Sequence, residues 1–182
     1  MLPIADATGR DLVWIEQGKR GWPNSSGLGP EHELRLGDDV VARLRFDNGW
    51  PSEAHADGQH WTFEPLKQEL HLRHLWSGDP IAVRDEDSRD IAFFFRHWQD
   101  IILEFREGNQ LRLGRWEWQR SLRLEWIWED ETQEFMHFEE RSDALTFHIP
   151  PATVEFHQSP LLVVIGWYRI LRHWESERCA GY

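Results

Sequence analysis

The sequence predicts a mainly β protein: an antiparallel, many-stranded, closed or nearly closed barrel with a hydrophobic C-terminal helix, about 159–174, buried in its centre. Three observations predict it. Apolar residues recur mostly with a period of two, the spacing at which alternate side chains of a strand share a face. Asp57-Gly58 stands between two such segments, as a tight hairpin requires. The single helical segment is apolar on every side, whereas a surface helix keeps a polar face.

The elements follow in order. A first strand is expected around Leu12–Glu16, followed by a loop-rich stretch, 17–31, containing Gly18, Gly21, Pro23, Gly27, Gly29 and Pro30. Leu34/Leu36 comes next, then Val40, Ala42, Leu44 and Phe46 on one face with Arg43 and Arg45 opposite. Asp47-Asn48-Gly49 ends that strand. Ser52–Ala56 and Gln59–Glu64 flank Asp57-Gly58, where a type I′ turn needs positive φ at both central residues. Leu70/Leu72 and Ile81/Val83 give short repeats, and Gly108-Asn109 separates Ile101–Phe105 from Gln110–Leu113 as a second hairpin. Leu122, Leu124, Trp126 and Trp128 alternate with Arg123 and Glu125, and the acidic turn 129–131 suggests a third hairpin. Leu145/Phe147/Ile149 and Val154/Phe156 complete a meander of about ten strands with no crossover helix.

The pattern changes after His157. Ser159-Pro160 supplies an N-cap and first turn, and Leu161, Leu162, Val163, Val164, Ile165, Gly166, Trp167 and Tyr168 follow without a polar break. Such a run is too short for a bilayer, which takes about 17–25 residues. Leu161, Leu162, Val164, Ile165, Trp167 and Tyr168 are therefore expected to fill the barrel, because a large ring of strands needs more than its own side chains inside. Residues 175–182 read as a tail, with the single cysteine, Cys179, in it.

Composition narrows the classes of function. A chain of 182 residues fits one domain, 1–182, and 32 acidic against 20 basic residues give a formal charge of -12. That charge argues against nucleic acid and against anionic phosphoinositide as partners. Only Lys19 and Lys67 interrupt an otherwise arginine-only basic set. The N-terminus lacks the basic flank and apolar core of a signal peptide, and no transmembrane segment is expected. The expected location is the cytoplasm, with peripheral membrane contact as the alternative.

Ser52-Glu53-Ala54-His55-Ala56-Asp57-Gly58 running into Trp61-Thr62-Phe63, then Ile81–Asp85 and Arg89–Ala92, and finally Ser159–Tyr168, carry a family resemblance. Across about 33–174 the chain resembles the tubby C-terminal-like fold, in particular its LURP-one-related and phospholipid-scramblase-like branch. The resemblance implies about a dozen strands around a hydrophobic C-terminal helix. Tubby proteins recognise phosphoinositides through basic side chains, and this chain is acidic and lysine-poor, so no lipid-binding residue carries over. The cysteine-rich segment of scramblase-like members is also missing from it.

No Gly-x-Ser-x-Gly elbow, Walker loop or dinucleotide-binding fingerprint occurs, and no cofactor is expected. His55, Asp57 and His60 are the best-spaced trio for a metal, although the reading preferred for them is exposed polar residues on a hairpin, with no metal. His71-x-x-His74 is worse placed, since a spacing of three in a strand puts the rings on opposite faces. Glu117 and Glu125 are the carboxylates nearest to tryptophan, and alternation is read as placing both outside. Trp116, Trp118, Trp126 and Trp128 are expected either to pack across strands or to contact a ligand or partner.

Three functional classes remain. The preferred one is a non-enzymatic binding or scaffold module acting through its outer surface on an unidentified protein or membrane partner. The alternative is a lipocalin-like carrier, a hollow Trp-lined barrel holding a small apolar ligand with the helix packed outside. The third is a hydrolase or metal-dependent enzyme using the neighbourhood of His55, Asp57 and His60.

Overall fold

The computed structural model describes residues 1–17, 31–47, 50–66, 81–97, 100–117, 124–130, 132–141, 144–153 and 156–180. A four-residue helix α1 (Ile4–Ala7) precedes the strands β1 (Asp11–Gln17), β2 (Glu31–Leu36), β3 (Asp39–Asp47), β4 (Trp50–Ala56), β5 (Gln59–Pro65) and β6 (Ile81–Arg84). The strands β7 (Asp90–His97), β8 (Asp100–Phe105), β9 (Gln110–Glu117), β10 (Leu124–Glu129), β11 (Glu134–Arg141) and β12 (Ala144–His148) follow. A short 3₁₀ turn (Pro151–Thr153) leads into the long helix α2 (Ser159–Ala180).

Each strand pairs antiparallel with the next in sequence, and β1 returns to β12 through Asp11 opposite Thr146 and Leu12 opposite Leu145. The ring is a closed barrel, so no strand edge is left exposed to pair with another chain. Its polarity is apolar inside and charged outside, with Leu44, Ala54, Val83 and Leu103 buried while Arg43, Glu53 and Arg84 face outward. A lipid-spanning barrel has the reverse arrangement. Among the described residues, no helix is long and apolar enough to cross a membrane.

Helix α2 occupies the middle of the ring. It touches β3 and β4 on one side and β10 and β11 on the other, strands that stand about half the circumference apart. Every side chain from Leu161 to Tyr168 is buried, which accounts for an apolar surface all round the helix. At about 1.5–3 kcal/mol per fully buried Leu, Val or Ile, this segment is a large part of the core. The small inward residues of β4, Ala54 and Ala56, leave room for it. On the far side a Cβ at Gly166 would come within 2.5 Å of the Phe138 ring, so only glycine allows this approach. Tyr168 closes the contact with Phe46 and Phe94, at ring separations of 5.9 and 6.0 Å. The helix therefore lies within the ring and is not packed outside it.

The expected Asp57-Gly58 turn joins β4 to β5 with φ of 51° and 75°, and Gly108, φ 92°, turns β8 into β9. In the acidic turn, Asp130 accepts hydrogen bonds from the backbone N–H groups of Thr132 and Gln133 and from the Thr132 hydroxyl.

Several details depart from expectation. Among the described residues twelve strands form, where about ten were expected. Val41, not Val40, is the fully buried valine, because a β-bulge opposite Leu34/Arg35 inserts one residue and shifts the phase of β3. Phe156 belongs to no strand; it follows the 3₁₀ turn and packs edge-on against Phe105 and Phe135. Helix α2 runs to Ala180, past the expected Trp174 and through most of the expected tail, so Cys179 lies on helical backbone. After Gly166 the sequence offers no glycine until Gly181 and no proline, hence nothing to stop it earlier. The Leu70/Leu72 repeat, Leu122, Val154 and most of the loop-rich stretch lie outside the described residues.

Candidate functional site on the outer face

Among the described residues, the β4–β5 hairpin gathers Glu53, His55 and His60 on the barrel exterior. Alternation turns Ala54 and Ala56 inward and leaves Glu53 and His55 outside, two positions apart on one face. The type I′ turn fixes the register so that His60 stands directly opposite His55. The two imidazoles stack at 4.3 Å between centroids with 10° between planes. His60 also reaches diagonally, its Nε2–H donating to Glu53 Oε1 at 3.1 Å, while Arg45 Nη1 donates to Glu53 Oε2 at 3.0 Å. One ligand atom from each of Glu53, His55 and His60 lies within 4.8 Å of the others.

Charge around this trio is balanced from β2 and β3. Arg43, opposite His55 in the register, donates through Nε to Glu33 Oε1 at 3.0 Å and lies 3.8 Å from Glu31. Glu33 is 5% exposed and also accepts from Arg35 Nε at 2.8 Å, so the buried carboxylate is neutralised from two sides. Partial burial pushes the His55 pKa below its usual value, and His60 and Arg43 add to that while Glu53 and Glu31 oppose it. Further round the wall, Arg84 binds Asp90 at 2.8 Å and contacts Glu64. The Asp90 hydrogen bond is the main reason that the Arg84 pKa is raised.

The sequence reading of this hairpin had one wrong member. His55 and His60 come together as expected, but Asp57 stays in the exposed turn and Glu53 takes the third place. The reason is positional: Asp57 is the first turn residue, at positive φ beyond the end of the strand, whereas Glu53 shares the face of His55. The Glu-x-His spacing on β4 was the available signal. The charge lattice of Glu33, Arg35 and Arg43 was also missed, though opposite charges at facing positions of neighbouring strands signal it.

The tryptophans divide. Trp128 is fully buried and its Nε1–H donates to the Leu162 carbonyl at 3.0 Å, so it holds the central helix and is not at the surface. The β9–β10 backbone register pairs Trp116 with Glu125 and Trp126 with Arg115. Glu117 lies at the end of β9 and Glu125 near the start of β10, opposite Leu124 and Trp116 in the backbone register. Trp118, His71 and His74 lie outside the described residues.

Among the described residues, open clefts lie near the barrel rim. One, of about 620 Å³, is bordered by the β8–β9 turn, Arg112 and Asp130. Another, of about 300 Å³, lies between Arg89, Arg106, Phe156 and His157. The chain matches no protein-family model, no curated protein and no solved structure.

Proposed function

We propose that the protein is a non-enzymatic binding or scaffold module of tubby-like fold, in the manner of LURP-one-related proteins, that works in the cytoplasm through its outer surface. The observation that carries this is the occupation of the barrel interior by α2: any partner has to meet the outside of the wall. The outer face of β2–β7 supports the reading, because Arg43, Arg45 and Arg84 are each held by carboxylates in an ordered array. Such an array presents fixed hydrogen-bonding groups to a protein partner and lacks the excess positive charge that an anionic lipid surface attracts.

Two measurements test it. Titration with a fluorescent fatty acid is expected to show no saturable binding; one-to-one binding displaced by unlabelled fatty acid would make the protein a carrier and overturn the proposal. Proximity cross-linking in cells is expected to yield a partner that is lost on Arg45→Glu and Arg84→Glu with the fold intact. A partner set unchanged by both variants would remove the outer face of β3–β6 from the account.

A further inference from the structure

We propose that Glu53, His55 and His60 form a binding site for a divalent metal ion of the zinc class on the outer face of the β4–β5 hairpin. Two imidazoles and one carboxylate are a donor set that zinc accepts, with a fourth position left for water or another ligand. Zinc holds nitrogen and oxygen ligands at about 2.0–2.2 Å, so two ligands of one tetrahedral ion stand about 3.3 Å apart. His60 Nε2 and Glu53 Oε1 are already 3.1 Å apart, and the ion would take the place of the proton they share. The three ligand atoms all lie within 4.8 Å of one another, a spread that side-chain rotation closes on a backbone already fixed by the hairpin register.

The surroundings are those of a ligand set held in place. Glu53 keeps one oxygen for an ion because Arg45 holds the other, the outer-shell hydrogen bond that orients ligating carboxylates. The nearest cation facing His55, Arg43, is engaged by Glu33 and Glu31 and adds little net repulsion. The barrel contains a built-in contrast: His137 and His148 also face each other across β11 and β12. Their ring centroids are 6.0 Å apart, at 52°, and their carboxylates lie at 3.9–4.0 Å, so that pair closes no comparable set. The inference does not depend on the binding-module reading.

The test uses the tag-free full chain, stripped with chelator and titrated with Zn²⁺ by calorimetry and with Co²⁺ by visible absorption. One equivalent is expected to bind, with an intense cobalt band of low coordination number. His55→Ala and His60→Ala are each expected to weaken binding by about 100-fold or more, above the 10–100-fold typical of losing an outer-shell partner. Glu53→Gln should weaken it by about 10-fold or more. His137→Ala should leave it unchanged. Near-UV circular dichroism checks each fold, and His60→Gln replaces any alanine variant that misfolds. Absence of one-to-one binding, binding that survives all three substitutions, or equal loss in His137→Ala would overturn the proposal.

Discussion

The indole N–H of Trp128, on the barrel wall, donates to the main-chain carbonyl of Leu162 in the central helix at 3.0 Å, with both residues fully buried. This bond ties the first turn of α2 to β10 while Gly166, one turn on, lets the helix lie against the same wall. Trp128→Phe keeps a ring in place but removes the donor and some volume. A loss of about 1–3 kcal/mol is expected, read from denaturant unfolding at constant m-value. Unchanged stability would mean that the bond contributes nothing to holding the helix.

Gly166→Ala separates packing from helix propensity. Alanine favours a helix over glycine by about 1 kcal/mol, yet here its Cβ would stand 2.5 Å from Phe138 and 3.2 Å from Trp128 Nε1. Overpacking is expected to win, with a net loss of about 1–3 kcal/mol. Combining it with Phe138→Leu should recover part of that loss, a coupling visible in a double-mutant cycle. A stabilised Gly166→Ala would show that the helix does not lie against β11.

Gly58→Ala probes the hairpin that aligns His55 with His60. Nothing lies within 4 Å of a Cβ there, so the cost is backbone strain alone at φ of 75°. A loss of about 1–2 kcal/mol is expected, against near neutrality for Asp57→Gly at the neighbouring turn position. Thermal unfolding of the two variants side by side checks the order.

His55 also gives stability a pH dependence of known sign. Its folded-state pKa is lowered, chiefly by burial, from the ordinary value of 6.5. The unfolded chain therefore binds this proton more readily, and the contribution of His55 is fully present above 6.5 and lost as pH falls through the folded value. Denaturant unfolding between about pH 5 and pH 7 should show stability falling with acid less steeply in His55→Gln than in the parent chain. Identical slopes would contradict the environment assigned to this imidazole.

What the sequence disclosed and what it withheld have physical causes. The β4–β5 hairpin was legible because Asp-Gly is one of few dipeptides that take positive φ twice, and α2 because an all-apolar helix has nowhere to go but inside. Strands β7 and β11 were harder to read. Phe93-Phe94-Phe95 breaks alternation, with Phe94 and Phe95 both buried, and Phe135-Met136 does so beside a register shift at Trp128/Glu129. The same kind of shift exchanged Val40 for Val41, since periodicity cannot register one inserted residue. In the candidate site, His55 opposite His60 follows from turn chemistry alone. Glu53 shares the face of His55, as the Glu-x-His spacing signals, but its contact with His60 is a diagonal one between strands and depends on twist and rotamer.

The central claim is that α2 is the core of the barrel, and it is tested most directly by comparing the full chain with one ending at Gln158. Thermal unfolding and near-UV circular dichroism of the tryptophans report the outcome. The shorter chain is expected to be unfolded, or compact with its near-UV signal lost, because the wall would enclose an empty apolar space. A shorter chain that unfolds cooperatively with its tryptophan signals intact would contradict the claim, and the barrel would then stand without its helix.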